Sequence, residues 1–170
     1  MRFATLLTLF LSTLATSVAA DDAQILRPPA VPLVTHDPYF SIWSCSDHPA
    51  EGWPQHWTGK VHALCSMIRV DGKTYRLMGM ESREAEVAKL IGCRVQPTRT
   101  IYTLEAGGVT VTLTFTSPLL PDDLELIGRP ASYIAWSLKS TDGRTHDVDL
   151  YFDHTAELVV NEPKQNVEWS

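Results

Sequence analysis

Two short stretches of the sequence carry side chains that can move protons or contact a small ligand. The first reads Thr-His-Asp-Pro-Tyr-Phe-Ser-Ile-Trp-Ser over residues 35–44, and the second reads His-Trp-Thr-Gly-Lys over 56–60. Imidazole, carboxylate and ammonium groups serve as general acids and bases, and aromatic residues in connecting segments often line binding surfaces. The two stretches predict a pocket rim or an interface formed by Asp37, Trp43, Trp53, His56, Trp57 and Lys60.

The first stretch also has a structural interpretation, which we favour. An aspartate before a proline initiates turns, because its carboxylate bonds the backbone ahead and the proline restricts the next φ angle. Residues 39–44 then enter an aromatic-rich strand with alternating faces. The alternative places His36, Asp37 and Trp43 on the rim of a pocket.

The second stretch lies in a segment rich in proline and glycine, outside any regular element. Two interpretations carry equal weight here. Either Trp53 and Trp57, with His56 and Lys60, form a ligand surface, or the two tryptophans fold back over the core as lids. The catalytic residues stay unassigned.

Acidic residues and cysteines offer little further chemistry. Asp149 and Asp153 share one predicted strand face. Because a strand rises about 3.3 Å per residue, the two side chains would lie roughly 13 Å apart, too far for a hydrolytic carboxylate pair. We interpret that face as solvated. The three cysteines are Cys45, Cys65 and Cys93. We favour the interpretation that they are small residues buried in the apolar interior. The alternative is a disulfide between Cys45 and Cys65. The sequence has no zinc-ligand spacing and no nucleotide-binding motif, so we expect neither a metal nor a cofactor.

Alternating apolar and polar residues predict β-strands along most of the chain after residue 60. In 109–116, for example, four apolar residues alternate with four threonines. Asp-Gly pairs at 71–72 and 142–143 and Gly-Gly at 107–108 predict turns between strands. Residues 82–91 are either a short helix or an irregular connection. The predicted strands cover 61–70, 73–78, 99–104, 109–116, 133–140 and 146–158.

These patterns predict an all-β fold, an antiparallel β-sandwich. Residues 166–170 look like the start of another strand, so we expect a sandwich that is incomplete at its C-terminus, at the front of a longer protein. We divide the chain into a signal peptide (1–20), a proline-rich motif segment (21–60) and a truncated β-sandwich domain (61–170).

The first twenty residues predict the destination of the protein. A short positive start, an apolar run over 4–14 and small residues at 18–20 are typical of a secretory signal peptide. We therefore expect a secreted or periplasmic protein. The formal net charge of -6 argues against nucleic acid and anionic membranes as partners.

Several runs of the sequence resemble a known family. Arg-Pro-Pro-Ala-Val-Pro-Leu-Val over 27–34, continuing through 35–44, is similar to the N-terminus of the secreted microbial glutaminase A-like proteins. The runs at 56–60, 72–79 and 97–102 fit the same pattern. The similarity covers essentially the whole chain after the signal peptide.

The resemblance implies a fold, an activity and a partner. Family members are several times longer, and their β-rich N-terminal region precedes a large helical domain similar to that of six-hairpin glycosidases. The assigned activity is hydrolysis of L-glutamine to L-glutamate and ammonia. The implied partners are this downstream helical catalytic domain and a small substrate, glutamine or a related amide. No catalytic residue of the family maps onto residues 21–170, so the motif residues are expected at the packing interface or the rim.

Three functional hypotheses follow. The first is a front β-sandwich of a glutaminase A-like amidohydrolase that is not catalytic alone. The second is a secreted carbohydrate-binding or accessory module that uses Trp53, Trp57 and His56. The third, which we rank last, is an enzyme complete in itself.

Overall fold

The computed structural model describes residues 28–168. The predicted signal peptide over 1–20 lies outside the described residues. The described part contains ten strands, one short α-helix and one 3₁₀ helix. Their bounds are β1 (Val31–Thr35), β2 (Ser41–Ser44), β3 (Leu64–Val70), β4 (Lys73–Met78), β5 (Glu86–Val87), β6 (Lys89–Gln96), β7 (Arg99–Ala106), β8 (Val109–Thr116), α1 (Leu124–Ile127), β9 (Tyr133–Ser140), β10 (Val148–His154) and the 3₁₀ helix (Ala156–Val159).

The strands form two four-stranded sheets and one two-stranded sheet. One large sheet has the order β10-β3-β4-β5, the other has the order β6-β7-β8-β9, and β1 pairs with β2. All pairs are antiparallel except β4 with β5, which are parallel. The all-β class and the antiparallel β-sandwich are thus confirmed, with one mixed sheet. The incompleteness at the C-terminus stays a prediction.

The two large sheets pack face to face through their apolar sides. Trp136 of β9 donates its indole N–H to Ser66 Oγ of β3 at 3.1 Å, and its ring meets the edge of Phe152 of β10 at 5.6 Å. The alternating pattern of β8 puts all four of its apolar residues in the core, while the threonines between them are half-buried. Burial of this alternating face is the main force that joins the sheets.

The small sheet of β1 and β2 is part of the same core. Val31, Val34 and Ile42 are at most 4 % exposed and belong to the cluster that the large sheets bury. Thr100 of β7 donates its hydroxyl to the Pro32 carbonyl at 2.5 Å. The domain division after residue 60 stays a prediction, and the motif segment packs on the sandwich.

Turn chemistry sets the two tightest hairpins. Asp71 and Gly72 have φ angles of 49° and 83°, and Gly107 and Gly108 have φ angles of 54° and 84°. Two successive residues with positive φ match the right-handed twist of the strands that they join. These two predicted turns are confirmed, joining β3 to β4 and β7 to β8, and the third, at 142–143, lies in the connection between β9 and β10.

Three predictions of local structure need correction. Of the two alternatives for residues 82–91, the helix does not form: 82–85 are an irregular connection in which Ser82 has a left-handed φ of 47°, and β5 and the start of β6 then bond to neighbouring strands. The predicted strand 146–158 splits into β10 and the 3₁₀ helix. The strand predicted to begin at 166 is wrong over 166–168, where the backbone is irregular and largely exposed.

Candidate functional site

The first motif stretch forms a turn around Asp37. Its Oδ1 accepts the backbone N–H groups of Tyr39 at 2.7 Å and Phe40 at 2.9 Å. These bonds, that of Phe40 first, hold the pKa of the Asp37 carboxyl below its ordinary value. His36 stacks on Phe40 with ring centroids 5.3 Å apart. The geometry agrees with the structural interpretation of this stretch.

The two motif stretches meet at the carbonyl of Pro38. His56 Nε2 lies 2.8 Å from this oxygen, and Trp57 Nε1 donates to it at 2.6 Å. A carbonyl oxygen only accepts, so His56 Nε2 carries the proton. Its Nδ1 then accepts from the Thr58 hydroxyl at 2.8 Å and the Thr58 N–H at 3.3 Å. His56 therefore joins two loops through its ring nitrogens.

The other two predicted tryptophans have packing roles. Trp43 of β2 donates its indole N–H to Ser41 Oγ at 2.5 Å, and its backbone bridges Gln55. Trp53 lies against Gly79: a Cβ atom on that glycine would be 3.1 Å from the indole ring. Both are half-buried, so neither offers an open ring face as Trp57 does at 63 % exposure.

Beside this junction lies a cavity with a volume of about 390 Å³, which we call the cleft. One wall comes from the motif segment, and the other comes from residues 157–161, which include the end of the 3₁₀ helix. Lys60 spans the rim, because its ammonium donates to the Asn161 carbonyl at 2.6 Å. The first wall consists of Tyr39, His56, Thr58 and Lys60 of the motif segment and of His62, which follows it.

Two buried polar atoms line the cleft. Within residues 28–168, His62 Nδ1 and Glu157 Oε2 are shielded from solvent and have no hydrogen-bond partner. His62 is 8 % exposed, and its ring lies 5.2 Å from that of His56. Burial, and then the nearby His56, lower the pKa of His62, which keeps its imidazole neutral at pH 7.

Of the predicted site residues, the structure brings His56 and Lys60 into the cleft. Asp37, Trp43, Trp53 and Trp57 do not line it. The sequence analysis missed His62 and Glu157. One feature of the sequence could have pointed to His62, because it is a histidine at the edge of an apolar run. No neighbouring residue in the sequence points to Glu157.

A second histidine cluster lies at the other end of β3 and β10. His146 places Nδ1 2.7 Å from Asp71 Oδ2 and Nε2 2.9 Å from Asp142 Oδ1. Ionised carboxylate oxygens only accept, so both ring nitrogens donate and the ring is an imidazolium. The bonds to Asp71 and then to Asp142 raise the pKa of His146. We call Asp71, Asp142 and His146 the His146 cluster.

None of the described cysteines forms a disulfide, so the Cys45–Cys65 alternative is wrong. Cys65 is buried, which raises its pKa to about 11, whereas Cys93 is half-buried and Cys45 is exposed. The favoured interpretation as small buried residues therefore holds fully for Cys65 alone. Over residues 28–168, no group of three or more His, Cys, Asp or Glu side chains is arranged to hold a metal ion.

Two family models match the sequence. One, described as a domain of unknown function (DUF4964), matches residues 6–91, which is about half of the chain, and the other, a domain of unknown function (DUF5127), matches residues 98–170. Glutaminase A from Aspergillus oryzae is 31% identical over 159 residues, which are 89% of this chain and 23% of that protein. The chain belongs to the glutaminase A-like family.

A second curated relative supports this membership. A protein named probable glutaminase from Arthroderma benhamiae is 26% identical over 165 residues, covering 86% of this chain and 19% of that protein. This member of the glutaminase A-like family thus spans about a fifth to a quarter of the length of these relatives. No solved structure matches the chain.

The two matched regions form one folded unit in this family member. Strand β10, from the 98–170 match, pairs along its whole length with β3, from the 6–91 match. The cleft has one wall from each region. None of the helices in the described part of the chain has the length and apolar character that crossing a bilayer requires.

Proposed function

We propose that this chain is the front β-sandwich of a secreted glutaminase A-like amidohydrolase. The whole protein would hydrolyse L-glutamine to L-glutamate and ammonia, and this part would not be catalytic alone. One observation carries the proposal: the similarity to Glutaminase A covers 89% of this chain but 23% of that protein. The sandwich would pack against a downstream helical catalytic domain.

The geometry of the motif residues supports a packing role. Amide hydrolysis needs an attacking group, an acid for the leaving ammonia and donors for the developing oxyanion. Asp37 accepts two backbone N–H groups, His56 joins two loops, and Lys60 bonds the opposite wall of the cleft. Their hydrogen bonds hold the rim together.

The test is ammonia release from L-glutamine. The 170-residue chain is assayed beside the protein translated from the complete reading frame, at equal molar concentration. We expect release by the longer protein and none above the buffer rate by the 170-residue chain. Turnover by the 170-residue chain, or an inactive longer protein that is folded, would contradict the proposal.

A second candidate is a carbohydrate-binding accessory module. Tyr39 is 90 % exposed and Trp57 is 63 % exposed, and they flank the same Pro38 carbonyl. Exposed aromatic rings in loops are suited to stacking against ligands. A glycan panel with the wild-type chain and Trp57→Ala tests this candidate, which requires binding that the variant loses. Flat isotherms across the panel would rule it out.

A further inference from the structure

We propose that the open side of the sandwich, between the edge strands β9 and β10, accepts a β-strand from the further chain of the longer protein. The added strand pairs with the free edge of β10 and covers the apolar side chains that this side leaves exposed. The proposal rests on the part of the proposed function that makes this chain the front of a longer protein. It does not depend on the reaction that the longer protein catalyses.

The apolar interior of the sandwich is uncovered on this side. Leu138 of β9 is the register partner of Val111, and Leu150 of β10 is the register partner of Ile68. Register partners in an antiparallel sheet point to the same face, so both leucines point toward the core. Val111 and Ile68 are fully buried, whereas Leu138 is 39 % exposed and Leu150 is 44 % exposed. Inward-facing residues with this exposure mark a side of the core that lacks a cover.

The two edges on this side are also long and regular. Within residues 28–168, the eight residues of β9 pair with β8 alone and the seven of β10 pair with β3 alone, and neither strand has a bulge. On the opposite side, β5 has only two residues, β6 has a bulge between Leu90 and Gly92, and buried Ala88 joins the two strands. Natural sheets blunt the edges that stay exposed, so the unblunted pair indicates edges that are covered in the longer protein.

Charge favours β10 as the acceptor and a strand of different sequence as its occupant. β9 carries the exposed Lys139, and lysine is a common safeguard against edge pairing. In β10, the charge of Asp149 is paired with Arg69 at 2.6 Å. A second copy of this chain fits poorly, because full antiparallel pairing of β10 with itself would put Asp149 opposite Asp153. Glutaminase A is matched over 23% of its length, so members of the family have further chain to supply a strand.

The first measurement is maleimide labelling of Leu150→Cys in the 170-residue chain and in the protein translated from the complete reading frame. Ile91→Cys is the matched control, because Ile91 is an apolar residue of β6 with 48 % exposure. Peptide mass spectrometry follows each position separately from the native cysteines. We expect similar rates for both variants in the 170-residue chain. In the longer protein, Leu150→Cys should react at least about tenfold more slowly, while Ile91→Cys keeps its rate.

Amide hydrogen exchange shows whether the cover is a strand. A strand that pairs with β10 bonds the backbone groups of its free edge, so exchange in β10 should slow at least about tenfold in the longer protein. Peptides from β6 should exchange alike in both proteins. A helix makes its backbone hydrogen bonds internally, so a helix over this side would protect the Leu150→Cys thiol without slowing exchange at the edge. That result would overturn the proposal.

Three further results would contradict the proposal, once circular dichroism has verified that each variant is folded. Leu150→Cys reacts equally fast in both proteins, Ile91→Cys is protected to the same degree, or Leu150→Cys is already protected in a 170-residue chain that elutes as a dimer. Labelling and exchange are read without turnover. An inactive longer protein with a covered β10 would overturn the proposed reaction and leave the strand site, whereas an active one with an open β10 would do the reverse.

Discussion

The two ends of the β3–β10 pair each hold a histidine, in opposite environments. These strands are seven residues long, so roughly 20 Å of ladder separates the ends. At one end, His146 bonds a carboxylate with each ring nitrogen. At the other end, His62 is neutral and has a buried Nδ1 with no partner within residues 28–168. The first histidine holds two connections together, while the second leaves a ring nitrogen unpaired within the described residues.

This difference separates a structural cluster from a candidate site. The His146 cluster joins the β3–β4 turn to the connection between β9 and β10, and its polar groups are matched within the chain. The cleft end of the strands has backbone contacts, such as the approach of Gly79 to Leu64 and the bond from His62 N–H to the Pro54 carbonyl, beside the side-chain bonds of His56 and Lys60. Burying polar atoms without partners costs stability, a cost that the cleft end carries and the His146 cluster does not.

The largest expected effect is at the cleft end, from Gly79→Ala. A Cβ atom there would lie 2.5 Å from the Leu64 carbonyl oxygen, and Gly79 has a φ of +79°. We expect a loss of at least about 3 kcal/mol in the free energy of unfolding, measured by urea denaturation. Gly59→Ala is the matched control, since Gly59 has a φ of +85° and open space around it. Equal losses would show that the backbone contact does not support this end.

The next effect is at the other end, from Gly108→Ala. A Cβ atom there would lie 2.9 Å from Asp142 Oδ2 and 3.1 Å from His146 Cε1. Both side chains must shift, so the variant should lose more stability than Gly72→Ala, in which φ strain of about 1–3 kcal/mol acts alone. Urea denaturation of both variants provides the measurement. If Gly72→Ala loses as much free energy of unfolding, the His146 cluster tolerates displacement, and its hydrogen bonds do not set the stability of this end.

A third prediction uses pH to test the opposite charge states. The pKa of His146 is raised, so its contribution to stability is present below the unfolded value of about 6.5 and is lost as pH rises through the folded pKa. The pKa of His62 is lowered, so its contribution is present above about 6.5 and is lost as pH falls through its folded pKa.

Unfolding free energies between about pH 5 and 8 measure both effects. The difference in unfolding free energy between the wild type and His146→Gln should shrink as pH rises. The difference in unfolding free energy between the wild type and His62→Gln should shrink as pH falls. The groups that face His146 are Asp71, Asp142 and Arg144, and those that face His62 are His56, Glu157 and Lys60. Parallel pH profiles for the two variants would remove the contrast.

The smallest effect is at the Pro38 carbonyl. Trp57→Phe keeps an aromatic ring but removes the N–H donor, so we expect a loss of about 1 kcal/mol in the free energy of unfolding. Tyr39→Phe changes a 90 % exposed residue nearby and should leave stability unchanged. Thermal denaturation of both variants gives the comparison, and a stable Trp57→Phe would mean that the His56 bond holds the two loops alone.

Local patterns predicted the strands and turns that neighbours in the sequence control. The threonine alternation over 109–116 marks β8 because every second residue faces the core. The Asp-Gly pair at 71–72 marks the hairpin because it tolerates positive φ. The sequence left residues 82–91 open between a helix and an irregular connection, because the pairing of 86–87 with β4 is a contact that local spacing does not reveal.

The sequence alone determined the all-β class, most strand positions, the tight turns and the family. The class, the strands and the turns depend on backbone preferences and apolar periodicity, which act between residues close together in the chain, whereas the family came from the resemblance of the motif runs. Only the tertiary structure decided that β10 pairs with β3, that Glu157 faces His62 across the cleft and that His146 meets Asp71. These residues lie 75 or more positions apart, and burial and charge act on them only after the sheets have brought them together.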